Sequence, residues 1–351
     1  LDKNNHFLRI FATLALALTL GSCQNSTQET LSKKSAPSLP GTGVRVTPTY
    51  ALLEELFQTE IVNIGLRKLG YNVELGKELD YASAVAAIGS GDIDYTAVHW
   101  QRNQRQHYTN GGGDEKLEVL GVIVEPVLQG YLIDKATAEE YGITSLKQLQ
   151  KPEIAKLFDS DGDGRANLVG CNTGWACGTI TDHHLDEYGL SKTVEHDQGK
   201  YIALFADVIS RYEQGESVLY YAWTPFWGQE ELFPGKDVKW LEVPYTSLPE
   251  ENGEITKAET TAMDKNLGFP VDQMVILANQ NFVDENPVAS KFMELVSIPT
   301  EDVSAQNKLM QAGEDSPEAI RRHAQEWVNN HQETFDGWLA QAQQHRETSS
   351  Q

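Results

Sequence analysis

Three of the seven tryptophans stand where segments with the pattern of β-strands end: Trp100 in TAVHW, Trp175 in VGCNTGW and Trp223 in LYYAW. In open α/β sheets, ligands bind in the crevice beyond the carboxyl ends of the strands. A lone tryptophan there is ordinarily a core or rim residue, but three at equivalent positions indicate indole faces around one crevice. Indole faces attract a cation that has no N–H to donate, so the pattern predicts a site for a quaternary ammonium.

A tryptophan cage alone would bind weakly. At about 0.5–2 kcal/mol per ring, three rings contribute roughly 2–6 kcal/mol, whereas micromolar binding needs about 8 kcal/mol. A second anchor follows Trp175, where a helix is predicted to begin. The free backbone N–H groups of Ala176, Cys177 and Gly178 would favour an anion there, and their small side chains allow close approach. A compact zwitterion with a quaternary ammonium and a carboxylate, a betaine, fits both anchors.

The N-terminal segment has the pattern of an export signal. Lys3 and Arg9 precede the apolar run 10–20, which is too short to span a bilayer with ease. The sequence Leu-Gly-Ser-Cys at 20–23 is typical of bacterial lipoprotein processing, so we expect a signal peptide over 1–22 and lipidation of Cys23. The alternative is ordinary secretory cleavage. Residues 23–40 are polar and aperiodic, as expected of a flexible tether.

Cys171 and Cys177 are the two cysteines that remain after Cys23. An exported chain folds in an oxidising compartment, so the pair is a natural disulfide. So small a ring removes only about 2 kcal/mol of unfolded-chain entropy. We therefore expect the disulfide mainly to hold the backbone amides after Trp175 at a fixed distance from the Trp175 indole.

Short strands alternate with amphipathic helices from Gly41 onward, which predicts an α/β fold of two lobes, each a mainly parallel sheet flanked by helices. We expect lobe 1 to comprise 41–128 and a return over 269–345 with C-terminal helices, and lobe 2 to comprise 129–268. The predicted strands are 43–50, 71–75, 92–100, 130–134, 167–171 and 217–223. The predicted helices are 52–70, 80–91, 146–157, one after Cys177, 201–212, and C-terminal stretches in 287–298 and 317–343.

The formal net charge of −23 argues against nucleic acid and anionic lipid as partners, because so acidic a surface repels both. Apart from the lipid anchor, we expect no membrane attachment. No cofactor is expected.

The stretches QGYLIDK, GCNTGWAC, YYAWTPFW and PGKDVKWLEVP make the chain resemble the glycine betaine/proline betaine-binding proteins of bacterial ProU-type ABC importers. These are periplasmic substrate-binding proteins of the two-lobed type II class, and the similarity covers nearly the whole mature chain. It implies an aromatic box of Trp100, Trp175 and Trp223, a carboxylate site at the Ala176 and Cys177 amides, and a Cys171–Cys177 bridge.

The same resemblance implies a monomer that delivers its ligand to permease and ATPase subunits. One position departs from the family. Its pattern has a histidine four residues after the first box tryptophan, where this chain has Gln104, which can donate a hydrogen bond but brings no charge. His107 is three residues further on and is otherwise expected to be a surface residue. Choline, carnitine or another methylated amine stays open as the ligand.

Three other signals carry less weight. DSDGDGRAN at 159–167 has the opening of a calcium loop, but the twelfth position is Gly170 instead of a bidentate glutamate, so a polar turn is favoured. Cys177 with His183 and His184 would suit a thiol enzyme, except that an oxidised cysteine cannot attack. A sugar-binding module also uses tryptophan platforms, but it needs more polar side chains beside each ring.

Overall fold

The computed structural model describes residues 38–349, with the backbone alone for 346–349. The predicted signal peptide, Cys23 and all but the last residues of the predicted tether lie outside the described residues. The strands are β1 (Arg45–Val46), β2 (Pro48–Tyr50), β3 (Asn72–Val73), β4 (Lys77–Glu78), β5 (Tyr95–Trp100), β6 (Leu117–Asp134), β7 (Ala166–Val169), β8 (Val194–Asp197), β9 (Leu219–Thr224), β10 (Val238–Trp240), β11 (Thr261–Ala262), β12 (Lys265–Asn266) and β13 (Asp272–Asn279).

The α-helices are α1 (Leu56–Lys68), α2 (Tyr81–Ser90), α3 (Arg105–Asn110), α4 (Lys135–Glu140), α5 (Pro152–Ala155), α6 (Ala176–Glu187), α7 (Tyr201–Glu213), α8 (Gly228–Glu231), α9 (Gln280–Glu285), α10 (Pro287–Leu295), α11 (Thr300–Gln311), α12 (Pro317–Asn330) and α13 (Gln332–Ser349). None of the helices in the described part of the chain is long and apolar enough to cross a membrane.

Nine strands form the central sheet, in the order β4-β2-β5-β13-β6-β9-β7-β8 with β10 beside β6. Parallel pairs lie toward both edges: β2 is parallel to β4 and β5, and β7 is parallel to β8 and β9. The two middle strands, β13 and β6, are antiparallel to each other and to their outer neighbours β5 and β9. Two parallel halves flanked by helices are therefore joined by antiparallel strands that carry the chain across and back.

The 18-residue strand β6 changes partner along its length. Residues 117–127 pair with β13, and residues 128–133 pair with β9. The later strand β13 pairs with both β5 and β6, so it returns the chain to the half that contains β5. The C-terminal helices complete this half, because α12 packs against α1 and α13 packs against α10.

Glycine and proline explain two of the element boundaries. Helix α2 ends at Gly91, whose φ of +82° is the left-handed conformation that glycine adopts without strain. The helix predicted over 146–157 is wrong as one element: two 3₁₀ turns flank the four-residue α5. The reason is Pro152, which lacks an N–H and holds Lys151 in an extended conformation. The strand β13 was not predicted, although its MVILA run is strongly apolar.

Candidate functional site

One cavity brings together six of the seven residues that the sequence singles out for ligand binding, all except Gly178. Its lining consists of Tyr81, Trp100, Asn103, Gln104, Gln129, Trp175, Ala176, Cys177, Tyr221 and Trp223. These residues come from both halves of the sheet, so the cavity lies where the two halves face each other.

The three tryptophans are nearly buried, with exposed fractions of 5% for Trp100, 6% for Trp175 and 3% for Trp223. Trp100 ends β5, Trp223 lies near the end of β9, and Trp175 follows β7 as the residue before α6. The centroids of the Trp175 and Trp223 rings are 6.0 Å apart, with ring planes at 71°. Two indole faces therefore meet as a corner, an arrangement that can enclose a methylated cation on more than one side.

Tyrosines extend this aromatic wall. The Tyr81 ring meets Trp175 edge-on at 5.3 Å between centroids, and Tyr221 lies 5.9 Å from Trp223. Tyr201 supports both tryptophans from behind, at 4.8 Å from Trp223 and 6.5 Å from Trp175. Packing against Tyr201 within one half of the sheet therefore fixes the corner that the Trp175 and Trp223 rings form.

Helix α6 begins at the cavity wall. The backbone N–H groups of Ala176 and Cys177 have no acceptor among the described residues, as expected in the first turn of a helix. The prediction that the Gly178 N–H is a third free donor is wrong. This N–H donates to the carbonyl of Trp175 at 3.0 Å, which closes the first turn. Two free amides, not three, therefore point from this helix end, where the dipole favours an anion.

The turn before α6 depends on two local features. The disulfide between Cys171 and Cys177 is present, as predicted. Gly174 has a φ of +91°, a conformation that residues with a Cβ rarely adopt. Glycine and the bridge together aim the chain so that the Trp175 ring and the first amides of α6 line the same cavity.

Three buried amide side chains line the cavity beside the rings. Gln129 Oε1 accepts hydrogen bonds from Asn103 Nδ2 at 2.9 Å and from the Tyr221 hydroxyl at 2.6 Å. Asn103 Oδ1, Gln104 Oε1 and Gln129 Nε2 have no partner among the described residues. Leaving a buried polar atom unpaired costs about 1–3 kcal/mol, so this cluster is suited to a polar ligand or to water.

Gln104 occupies the position where the family pattern has histidine. It is 3% exposed, lines the cavity, and is tied to the cage because its N–H donates to the Trp100 carbonyl at 2.9 Å. His107 is half-buried instead of lying on the surface, and it is not part of the cavity lining. Burial lowers the pKa of His107, an effect that the nearby Asp80 carboxylate opposes.

Two adjacent buried carboxylates lie behind the cage. Glu54 Oε1 accepts a hydrogen bond from Trp223 Nε1 at 3.3 Å, and Glu55 Oε1 accepts one from the Tyr81 hydroxyl at 2.6 Å. Burial, with a smaller effect of the Glu55 charge, raises the pKa of Glu54 to about 8. Burial also raises the pKa of Glu55 to about 7, against the effect of its hydrogen bonds.

Sequence reasoning missed Tyr81, Asn103, Gln129 and Tyr221 in the lining, and Glu54 and Glu55 behind it. A signal existed for Tyr221, because residues two apart on a strand share a face and Trp223 is two residues on. No local pattern marks Gln129, which joins the site because it pairs directly with Trp223 across β6 and β9.

The rival signals lie away from this cavity or are already engaged. Cys177 is oxidised, and both ring nitrogens of His184 are occupied by the Tyr131 hydroxyl and the Ser247 carbonyl, at 2.8 and 2.9 Å. A thiol nucleophile with a histidine base therefore does not form. Carboxylate oxygens of Asp159, Asp161 and Asp163 lie within 4.8 Å of one another, and Arg165 makes an ion pair with Asp163.

Residues 48–330 match the family described as the substrate-binding domain of ABC-type glycine betaine transport systems. The chain belongs to this family. It is a family of transport proteins, not of enzymes, and the resemblance inferred from the sequence motifs is confirmed.

Relatives in this family span most of the chain. The glycine betaine-binding periplasmic protein OusX of Dickeya dadantii (strain 3937) is 48% identical over 307 residues, which cover 87% of this chain and 92% of the relative. The glycine betaine/proline betaine-binding periplasmic protein of Escherichia coli (strain K12) is 46% identical over 308 residues, covering 88% and 92%.

A solved structure supports the fold. The crystal structure of lactococcal OpuAC, closed and complexed with glycine betaine, superimposes with a TM-score of 0.63 at 17% identity, covering 84% of this chain and 99% of that one. The two-lobed α/β architecture predicted from the sequence is thereby confirmed.

Proposed function

We propose that this protein is the extracytoplasmic substrate-binding protein of an ABC importer for quaternary ammonium osmoprotectants of the glycine betaine and proline betaine type. It binds the ligand in the cavity between the two halves of the sheet and delivers it to permease and ATPase subunits. The related periplasmic proteins of Dickeya dadantii and Escherichia coli support this function.

The observation that carries the proposal is the placement of Trp100, Trp175 and Trp223 on one cavity with the free N–H groups of Ala176 and Cys177. The rings provide attraction for a methylated ammonium, and the helix end provides donors for a carboxylate. Because both anchors line one cavity, a compact zwitterion can contact them together. Choline has no anionic group for the helix end, so a betaine uses this cavity more fully.

We propose lobe 1 as 41–128 with 269–345, and lobe 2 as 129–268. The partner change in β6 between residues 127 and 128 supports the first boundary, and the return through β13 supports the second. Ligand stabilises the closed arrangement because it contacts residues of both lobes at once. Gln104 and the backbone amides together hold the carboxylate.

Isothermal titration calorimetry of the purified protein tests this function. Glycine betaine, proline betaine, choline, carnitine and unmethylated glycine are titrated in turn. We expect the two betaines to bind at micromolar concentration or below, choline more weakly, and glycine weakest because its ammonium loses hydrogen bonds to water in an aromatic cage. Absence of heat with every methylated amine would overturn the proposal.

We further propose that the protein is exported, lipidated on Cys23 and held on the outer face of a membrane as a monomer. The small residues before Cys23 and the polar stretch after it support the anchor. Intact mass of the mature chain from the native host tests it: an N-terminal Cys23 with a mass added by acyl chains is expected. An unmodified N-terminus elsewhere would exclude lipidation.

A further inference from the structure

Each of two cage indoles donates its ring N–H to a carboxylate from the opposite half of the sheet. Trp175 Nε1 donates to Asp80 Oδ2 at 3.2 Å, and Trp223 Nε1 donates to Glu54 Oε1 at 3.3 Å. Trp175 follows strand β7 and Trp223 lies in strand β9, whereas the carboxylates precede helices α2 and α1. These two hydrogen bonds therefore bridge the cleft and exist only while the two halves are closed on each other.

Asp80 occupies the N-cap position of α2, where an aspartate ordinarily stabilises the start of the helix. It is the residue before the first turn of α2, where an aspartate side chain ordinarily accepts from a backbone N–H of the helix and stabilises it by about 1 kcal/mol. Here the side chain makes no such cap. Its carboxylate instead accepts from Trp175, so the contact to the cage replaces the local one.

Glu54 lacks a compensating cation in the protein. It is 9% exposed, adjacent to the 3% exposed Glu55, and neither carboxylate forms an ion pair with a lysine, arginine or histidine among the described residues. Buried carboxylates are ordinarily paired or coordinated, because burying an uncompensated charge is costly. The raised pKa of Glu54 reports the same cost. The positive group that this site lacks is the one that a quaternary ammonium would bring into the cage.

We propose that Glu54, acting through Trp223, and Asp80, acting through Trp175, are positioning residues that make the cage selective for a cation and couple its arrival to cleft closure. The inference rests on the proposed function. An N–H that donates to a carboxylate makes the indole face a better partner for a cation, and the charge of the buried Glu54 carboxylate adds direct attraction through a poorly solvated wall.

The coupling works in both directions. When the cleft opens, Trp223 moves away from Glu54. The hydrogen bond between them breaks, and the Glu54 charge no longer attracts the ligand. When a cation occupies the cage, the ionised form of Glu54 is favoured, which strengthens the bond that holds the cleft shut. Glu55, Tyr81 and Tyr201 face the same carboxylate and add no positive charge to it.

The test compares charge with shape at one position. Glu54→Gln keeps the size and an accepting oxygen for Trp223 but removes the charge, whereas Glu54→Asp keeps the charge in a shorter side chain. With glycine betaine as titrant at pH 8, we expect about tenfold weaker binding for Glu54→Gln and a smaller loss for Glu54→Asp. Near-ultraviolet circular dichroism checks that Trp223 keeps its surroundings.

Glu60→Gln is the matched control. Glu60 is also buried on the same segment, at 2% exposed, but it forms an ion pair with Arg67 at 3.1 Å away from the cavity. This variant should lower the melting temperature and leave betaine affinity within about twofold, since it removes a buried partner without touching the cage. Asp80→Asn is a second variant, and its exposed position tolerates substitution. We expect it to lose betaine affinity a few-fold.

The outcomes separate the two proposals. If unmodified protein binds betaine while Glu54→Gln and Asp80→Asn bind it equally well, the charge-selecting role is overturned. A smaller loss for Glu54→Gln than for Glu54→Asp would also overturn it, because shape would then matter more than charge. Failure of the unmodified protein to bind betaine overturns the proposed function instead.

Discussion

Replacing Trp175 by leucine offers a direct measure of the cation–π contribution. Trp175 is 6% exposed and meets Trp223 at 6.0 Å, so its face is largely shielded from water. For a shielded ring the attraction lies in the upper part of the known range, about 1–2 kcal/mol. Trp175→Leu keeps an apolar wall but removes the ring, so betaine affinity should fall roughly 5- to 30-fold.

The assay compares glycine betaine with tert-butylacetate, its carbon isostere. The two molecules share shape and carboxylate, but the isostere carries no positive charge. Calorimetry, with competition for the weaker ligand, gives the ratio of their affinities in both proteins. We expect Trp175→Leu to reduce betaine binding far more than isostere binding. An equal loss for both ligands would refute a cation–π role and leave Trp175 as a wall.

Trp327→Leu is the matched control for this substitution. Trp327 is likewise nearly buried, at 8% exposed, and its ring N–H likewise donates to an aspartate, Asp302, at 2.8 Å. It lies on α12, outside the cavity lining. This variant should lose several kcal/mol of stability, as expected for a buried tryptophan, with betaine affinity unchanged. A fall in affinity there would show that stability loss alone accounts for the result with Trp175.

Three further predictions concern the turn, the carboxylate site and pH. Replacing Cys171 and Cys177 together by serine should lower stability by about 2 kcal/mol and weaken betaine binding; unaltered thermal unfolding and calorimetry would contradict this. Gln104→His should bind betaine about fivefold more tightly than the unmodified protein at pH 6, with a smaller difference at pH 8, measured by calorimetry, because an imidazolium adds a charged donor. Betaine affinity should rise as pH increases from 6 to 8 and level off above, because the cation favours ionised Glu54, whose pKa burial in the closed, ligand-free structure raises to about 8. Glu54→Gln should flatten that profile, apart from a smaller contribution of Glu55, and an unchanged slope would count against the assignment.

The tryptophans of the cage could be predicted from the local sequence. Trp100, Trp175 and Trp223 were identifiable because each follows a run of strand-forming residues, and strand ends share an edge in this fold class. The turn at Gly174 and the short spacing of the cysteines likewise act over a few residues. Such features can be predicted because their causes, backbone conformation and periodicity, lie within one segment.

Local sequence patterns could not predict the polar residues of the site. Gln129 reaches Trp223 only through the register between β6 and β9, and Glu54 is 169 residues from the indole that it contacts. Helix prediction over 146–157 failed for a different reason: the apolar periodicity was given more weight than Pro152, although the proline is visible in the sequence and does not fit inside a helix.

The sequence by itself determined the α/β class, the aromatic and cysteine content of the site and the helix that begins at it, because these follow from residue type and short-range spacing. Only the tertiary structure decided which carboxylates and amides stand behind the rings. Hydrogen bonds between segments far apart in the chain depend on how the two halves of the sheet close, and closure is a property of the packed molecule, not of any one stretch of it.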